Sequence, residues 1–143
     1  MNYIFAAEIE PDPDGGFLVT FPDVPDAITG GESIAESRAN AVEALGLALR
    51  GYLASDLPLP KAVTKRKGLV SIPVDTTTAL KLAVVEAFNA SGLSKSELAR
   101  KLGKAEGEAR RILDPDHPTK LPLLQAALAA LGKEIVVSVR DAA

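Results

Sequence analysis

The 143-residue sequence has no cysteine and no tryptophan, one methionine (Met1) and one histidine (His117). The missing cysteines exclude a disulfide framework and any thiolate zinc site. With no cysteine and a lone histidine in a proline-flanked loop, no soft metal site can be assembled, and His117 is the one histidine that could serve a nucleophile as its base. His117 reads as a loop residue or a neighbour of phosphate. Long apolar runs are absent too, since nothing approaches the roughly 18 residues needed to span a bilayer. No basic segment leads into an apolar one at residues 1–10. These absences predict a soluble, cytoplasmic protein that is not an enzyme, with no membrane contact, no cofactor and no metal.

Basic residues are scarce at one end. Residues 1–60 hold two (Arg38 and Arg50) against ten acidic ones, a net of −8, whereas residues 61–143 hold 14 against 9, a net of +5. The asymmetry predicts two domains with opposite partners, residues 1–75 and 76–143, with a basic connector over 57–68 inside the first. The alternative is two solvated surfaces that differ in sign without consequence.

What is present is organised around residues 14–31, DGGFLVTFPDVPDAITGG. Phe17, Val19 and Phe21 alternate with Leu18 and Thr20, the period of a strand. Asp14-Gly15-Gly16 is a turn signal, which pairs this strand with an earlier one in which Tyr3, Phe5, Ala7 and Ile9 alternate. Pro22 to Asp26 forms a stiff exposed corner, and Ala27-Ile28-Thr29 a short extended piece ended by Gly30-Gly31. Ser33 and Glu36 make a capping box. The helix it opens carries Ala35, Ala39, Val42, Leu45, Leu49 and Leu53 as an apolar stripe, and Gly46 and Gly51 predict close backbone packing. After the breaker Asp56-Leu57-Pro58-Leu59-Pro60, Lys61 to Lys67 reads as mobile, and Leu69 to Val74 as an edge strand.

The rest is helical. Asp75 caps a helix to about Ser91, with Leu80, Val84, Ala87 and Phe88 as its buried face. Ser94 and Glu97 form a second capping box for a short helix closed by Gly103. Residues 105–113 and 122–131 form two more helices, and residues 134–140 (EIVVSVR) read as a final strand.

The Gly-Gly-aromatic strand, the Phe-Pro-Asp-aliphatic-Pro corner, the Gly-terminated strand and the helical Asn40-Ala41-Val42-Glu43-Ala44-Leu45 together resemble the N-terminal domain of HicB-type antitoxins. Asp26-Ala27 and Gly31-Glu32-Ser33 depart from the usual Gly-Cys and Gly-Asp-Thr. The string GLSKSELARKLGK resembles a repressor-type helix-turn-helix, and residues 110–121 resemble the segment next to it in the same family. The resemblance implies an α+β fold. A small partial ribonuclease-H-like domain, with a three-to-four-stranded antiparallel sheet and one long helix, would precede an all-α helix-turn-helix domain. It also implies an antitoxin of a type II pair that inhibits a small RNA-cleaving HicA-type toxin and represses its own operon.

The toxin would meet Phe21, Asp23, Val24, Pro25 and Asp26. Operator DNA would meet Lys95, Ser96, Lys104, Glu106, Glu108, Arg110, Arg111 and Lys120, since phosphates need cations and helix N-termini. Glu106 and Glu108 repel phosphate but can accept from cytosine N4. A homodimer or higher oligomer is expected, because one small reading head makes few contacts. The rivals are a stand-alone transcriptional regulator with a ligand-sensing α+β domain and a residual ribonuclease. For the latter Glu8, Glu10 and Glu43 are the available acids, with no further acid converging on them.

Overall fold

The computed structural model describes residues 1–142 and divides into two units, Met1–Thr78 and from Ala79 onward. Unit 1 contains β1 (Ile4–Pro11), β2 (Phe17–Thr20), β3 (Ile28–Gly31), α1 (Ile34–Ala54) and β4 (Val70–Pro73). The sheet is antiparallel in the order β3-β2-β1-β4, with Ile9 opposite Val19, Val19 opposite Thr29, and Phe5 opposite Ile72. Side chains alternate across a strand, so Phe5, Ala7, Val19 and Ile72 share one face, and all are buried beneath α1. The other face presents Ile4, Ala6, Glu8, Leu18, Thr20 and Ile28, and no element of unit 1 covers it.

The β1–β2 turn is held by its own chemistry. The Asp12 carboxylate accepts from the Asp14 N–H at 2.9 Å, and Gly15 and Gly16 take φ of 103° and 69°, values that favour glycine. Gly30 and Gly31 continue β3 rather than ending it. A Cβ on Gly30 would lie 2.3 Å from the Phe17 carbonyl oxygen, and one on Gly31 would lie 2.8 Å from the Ser37 nitrogen. Close approach, not strand termination, is what requires glycine there.

In α1 the N-cap is Ser33, whose hydroxyl accepts from the Glu36 N–H at 3.1 Å. The buried stripe is Ser37, Ala41, Leu45, Leu49 and Leu53 with Gly46, whereas Ala35 and Ala39 are exposed. Alanine is apolar enough to fit either phase, and the larger leucines set the true one. Gly46 packs closely, with Thr78 Cγ2 at 3.4 Å from a Cβ placed there, while Gly51 has nothing within 4 Å.

The break between the units falls inside α2 (Thr76–Ser91), after its first turn. Asp75 caps that helix by accepting from the Thr78 N–H at 3.0 Å and the Thr78 hydroxyl at 2.6 Å. Burial acts to raise the Asp75 carboxyl, yet these bonds together hold it below the usual range. Unit 2 continues with α3 (Lys95–Leu102), α4 (Glu106–Leu113) and α5 (Leu121–Ala130), packed around Leu98, Ala109, Ile112, Leu124 and Leu128. The expected strand over residues 134–140 is not formed. A strand needs a partner strand for its backbone groups, and no ladder among the described residues includes this segment.

Leu45→Ala should destabilise unit 1 by about 2–5 kcal/mol, the cost of a buried cavity. Gly51→Ala should stabilise it by up to about 1 kcal/mol, since the added methyl meets nothing. Urea unfolding of both variants measures this; a destabilising Gly51→Ala would contradict the open environment at that position.

Candidate functional site

The corner in unit 1 is built on a three-residue repeat. Phe-Pro-Asp-Val-Pro-Asp-Ala places proline at the second position of two successive turns, where its fixed φ fits. The Val24 N–H donates to the Phe21 carbonyl at 3.1 Å, and the Ala27 N–H to the Val24 carbonyl at 3.0 Å. Phe21, Val24 and Ala27 therefore point inward, at 2%, 0% and 1% exposure. Pro22, Pro25 and Asp26 are exposed and Asp23 is half-buried.

Both carboxylates are engaged. Asp23 accepts from the Thr64 hydroxyl at 2.6 Å, the Thr64 N–H at 2.8 Å and the Val63 N–H at 3.0 Å. The Thr64 hydroxyl and these amides hold its carboxyl below the usual range. Asp26 accepts from the Tyr52 hydroxyl at 2.6 Å, which raises the tyrosine pKa. The expected mobile connector is thus latched, at Thr64 by Asp23 and at Arg66 by a 3.1 Å ion pair with Glu8. Glu8, Thr20, Phe21, Pro22, Pro25, Ile28 and Arg66 line a shallow hollow of about 390 Å³ on the uncovered face of the sheet.

Of the residues expected at this surface, Pro25 and Asp26 are accessible, while Phe21 and Val24 act mainly by holding the loop. Ile28, 62% exposed, and the Glu8–Arg66 pair were missed. The alternation of β1 and β2 could have placed Glu8 and Thr20 on this face; nothing local announces Arg66. Glu8 and Glu10 lie on the face opposite α1, which carries Glu43, so these acids do not converge. No group of three or more potential metal ligands occurs among the described residues.

In unit 2 the second capping box is formed in full. The Ser94 hydroxyl accepts from the Glu97 N–H, and Glu97 Oε1 accepts from the Ser94 N–H, each at 3.1 Å. Gly103, at φ 64°, ends α3, and α4 starts three residues later. Ser96, Glu106 and Arg110 are brought together. The Ser96 hydroxyl donates to Glu106 Oε2 at 3.0 Å, and Arg110 Nη2 donates to Glu106 Oε1 at 2.8 Å. These bonds hold the Glu106 carboxyl below its ordinary range, the hydroxyl contributing most. Lys95, Lys104, Arg111 and Lys120 are exposed, and Glu108 is half-buried. His117 is exposed in the loop after α4, where its backbone N–H donates to the Asp114 carbonyl at 3.1 Å.

One residue that sequence reasoning passed over supports this surface from behind. Lys81 of α2 is 3% exposed, and its ammonium donates to the Ile112 carbonyl at 2.8 Å, the Arg111 carbonyl at 3.2 Å and the Thr119 hydroxyl at 2.6 Å. A cation at the end of α4 satisfies carbonyls that have no partner within the helix and complements its dipole. Burial pushes the Lys81 pKa down to about 8, with Asp114 opposing. A lysine inside the apolar run Leu80-Lys81-Leu82-Ala83-Val84-Val85 was the available signal.

The structural units also revise the charge picture. Unit 1 holds six basic and eleven acidic residues, a net of −5, and unit 2 ten and eight, a net of +2. The connector lysines and arginine belong to the acidic unit.

Lys81 gives a pH-dependent stability with a defined sign. Between pH 8 and about 10.5 the unfolded chain binds the proton and the folded chain does not, so this group makes unit 2 more stable as pH rises through that window. Lys81→Met should cost about 1–3 kcal/mol at pH 7 by leaving carbonyls unsatisfied. Its deficit should widen by a further 1–3 kcal/mol or so by pH 10.5. Urea unfolding at the two pH values tests this, and a deficit independent of pH would contradict it.

Comparison with known proteins adds the family. The model of the HicB-like antitoxins of bacterial toxin–antitoxin systems matches residues 4–83. Antitoxin HicB of Escherichia coli (strain K12) is 35% identical over 133 residues, covering 92% of this chain and 95% of that protein. Antitoxin HicB 1 of Photorhabdus laumondii is 32% identical over 140 residues, covering 96% and 88%. Antitoxin HicB of Pseudomonas fluorescens (strain Pf0-1) is 27% identical over 139 residues, covering 96% and 94%. These relatives are named as antitoxins, not as enzymes, and they align with both units. The chain belongs to the HicB-like antitoxin family of bacterial toxin–antitoxin systems.

Proposed function

We propose that this antitoxin neutralises a small RNA-cleaving HicA-type toxin through unit 1 and represses its own operon through unit 2, in the cytoplasm, as a homodimer or larger homo-oligomer. The observation that carries this reading is the 35% identity to an antitoxin across 92% of the chain, which spans both units rather than one. In unit 1 the acidic balance suits a basic, RNA-binding partner, and the hollow beside the corner offers an apolar seat at Pro22, Pro25 and Ile28. Opposite charge speeds the encounter and selects the partner, while apolar contact slows release. Pro22 and Pro25 keep the loop in its bound shape, which lowers the ordering cost of association.

For unit 2, a capped α3, a short Gly-ended turn and α4 support a helix-turn-helix in which α4 enters the major groove. Glu106 then has a role other than reading bases, because both of its oxygens are occupied by Ser96 and Arg110. It fixes the arginine's direction. Lys95, Lys104, Arg110, Arg111 and Lys120 remain as the phosphate-facing set, and Glu108 as the acid nearest the bases.

Two outcomes test the division of labour. Asp26→Lys should slow toxin association and flatten its salt dependence, measured by stopped flow across a salt series. An unchanged rate and slope would move the interface away from the corner. Arg110→Ala with Arg111→Ala should weaken operator binding and reduce the salt slope by about one for each phosphate that is no longer neutralised. Toxin inhibition should be untouched. Full repression by the double variant would refute the assignment of α4.

A further inference from the structure

The hollow on the uncovered face of the sheet has a graded floor. Glu8 of β1 stands opposite Thr20 of β2, and Thr20 opposite Ile28 of β3. Residues directly opposite one another point to the same side, so the three form one row across three strands. Neighbouring strands lie about 4.7–4.9 Å apart, which makes the row roughly 10 Å long. It runs from a carboxylate through a hydroxyl to an apolar end at Ile28, and Pro22 and Pro25 of the corner line the same hollow. Glu8 is the one carboxylate among the described residues that line it.

That carboxylate is occupied by the chain's own cation. Arg66 Nη2 donates to Glu8 Oε2 at 3.1 Å, and the two side chains are 56% and 43% exposed. An exposed pair of this kind contributes little to stability. Arg66 belongs to a segment outside any helix or strand, and Asp23 latches that segment two residues earlier, at Thr64. The guanidinium can therefore leave Glu8 while the connector stays anchored. The hollow, of about 390 Å³, then offers an apolar side and an unpaired carboxylate, on a unit whose net charge is −5. A long cationic side chain fits this chemistry, since lysine and arginine lay a carbon stem along apolar surface and carry their charge at the tip.

We propose that Arg66 stands in for a lysine or arginine of the toxin, which displaces it from Glu8 and lays its stem over Ile28, Pro22 and Pro25. The proposal rests on the reading of unit 1 as the toxin-binding surface, and it adds the chemistry of the group received there. A protein that cleaves RNA needs cations for phosphate, so a carboxylate that holds one of them also withdraws it from RNA. Glu8 and Asp26 then act at different stages. Asp26, exposed at the corner, acts on the encounter, whereas Glu8, enclosed once the hollow is filled, acts on release. The internal pair also discriminates between partners. One without a well-placed cation leaves Glu8 with Arg66 and gains only the contacts at the rim.

Dissociation constants of the full-length antitoxin with its purified toxin test the exchange. Arg66→Met should tighten the complex by about three- to tenfold, because every molecule then presents Glu8 unpaired. Lys67, exposed on the same connector, supplies the control for net charge. Lys67→Met removes an equal charge without freeing Glu8, and its effect should stay within about twofold. Glu8→Gln should speed dissociation at least about tenfold, and in that background Arg66→Met should gain no more than Lys67→Met does. When the toxin's lysines and arginines are replaced one at a time by methionine, one should lose its effect against Glu8→Gln. Glu8 and Arg66 form a surface pair, so urea unfolding should show every variant folded. Equal affinities of Arg66→Met and Lys67→Met, or the absence of any toxin cation coupled to Glu8, would overturn the proposal. If Asp26→Lys still slows association in that case, the toxin surface stays at the corner and the exchange alone fails. If neither Asp26 nor Glu8 matters, the reading of unit 1 fails with it.

Discussion

Two reverse turns joined end to end set the surface of unit 1. Because Pro22 and Pro25 each occupy the second position of a turn, every third residue, Phe21, Val24 and Ala27, is driven into the core. The intervening carboxylates are left at the rim. One of them latches the connector at Thr64, and the other meets Tyr52 from the last turn of α1. Helix, connector and corner are therefore tied through a seven-residue stretch, Phe21 to Ala27. A loop held in this way presents its exposed residues in one arrangement, a condition for tight association without a large entropic cost.

Unit 2 solves a related problem with a cation. The proposed recognition helix, α4, is only eight residues long and has no side chain capping its start. Its position rests on packing through Ala109, Ile112 and Leu113, on the Ser96–Glu106 bond at one end and on Lys81 at the other. A buried ammonium is costly to desolvate, and three acceptors offset that cost. The acid at the front of the helix, which read from sequence as an obstacle to phosphate, is neutralised within the unit by Arg110. Charge counted along a sequence overstates what a partner meets, because some of it is taken up in internal pairs.

Much of this was legible in the residues. Alternation in β1 and β2, the glycine turn between them, the serine N-caps at Ser33 and Ser94 and the glycine stop at Gly103 obey rules that act within a few residues, and the structure agrees with them. The corner's three-residue repeat was visible as a stiff turn, but its inward and outward sides appear only once both turns are closed. The register of α1 could not be settled locally, because its first turns are rich in alanine and the sheet decides which side faces in. The latch on the connector joins residues about forty positions apart, and Lys81 meets carbonyls about thirty positions away. Such contacts leave no periodic trace. The C-terminal segment has the composition of a strand, but no ladder among the described residues includes it.

The proposed division of labour accounts for the opposite net charges of the two units: an antitoxin that held a toxin and an operator at once would need two faces that do not compete. Hydrogen–deuterium exchange of the full-length antitoxin, alone, with its purified toxin and with operator DNA, tests that claim directly. Toxin should slow exchange across the corner, the start of β3 and the connector through Arg66, and leave α3 and α4 unchanged. DNA should do the reverse. Protection of α4 by toxin alone, or of the corner by DNA alone, would contradict the separation of the two functions.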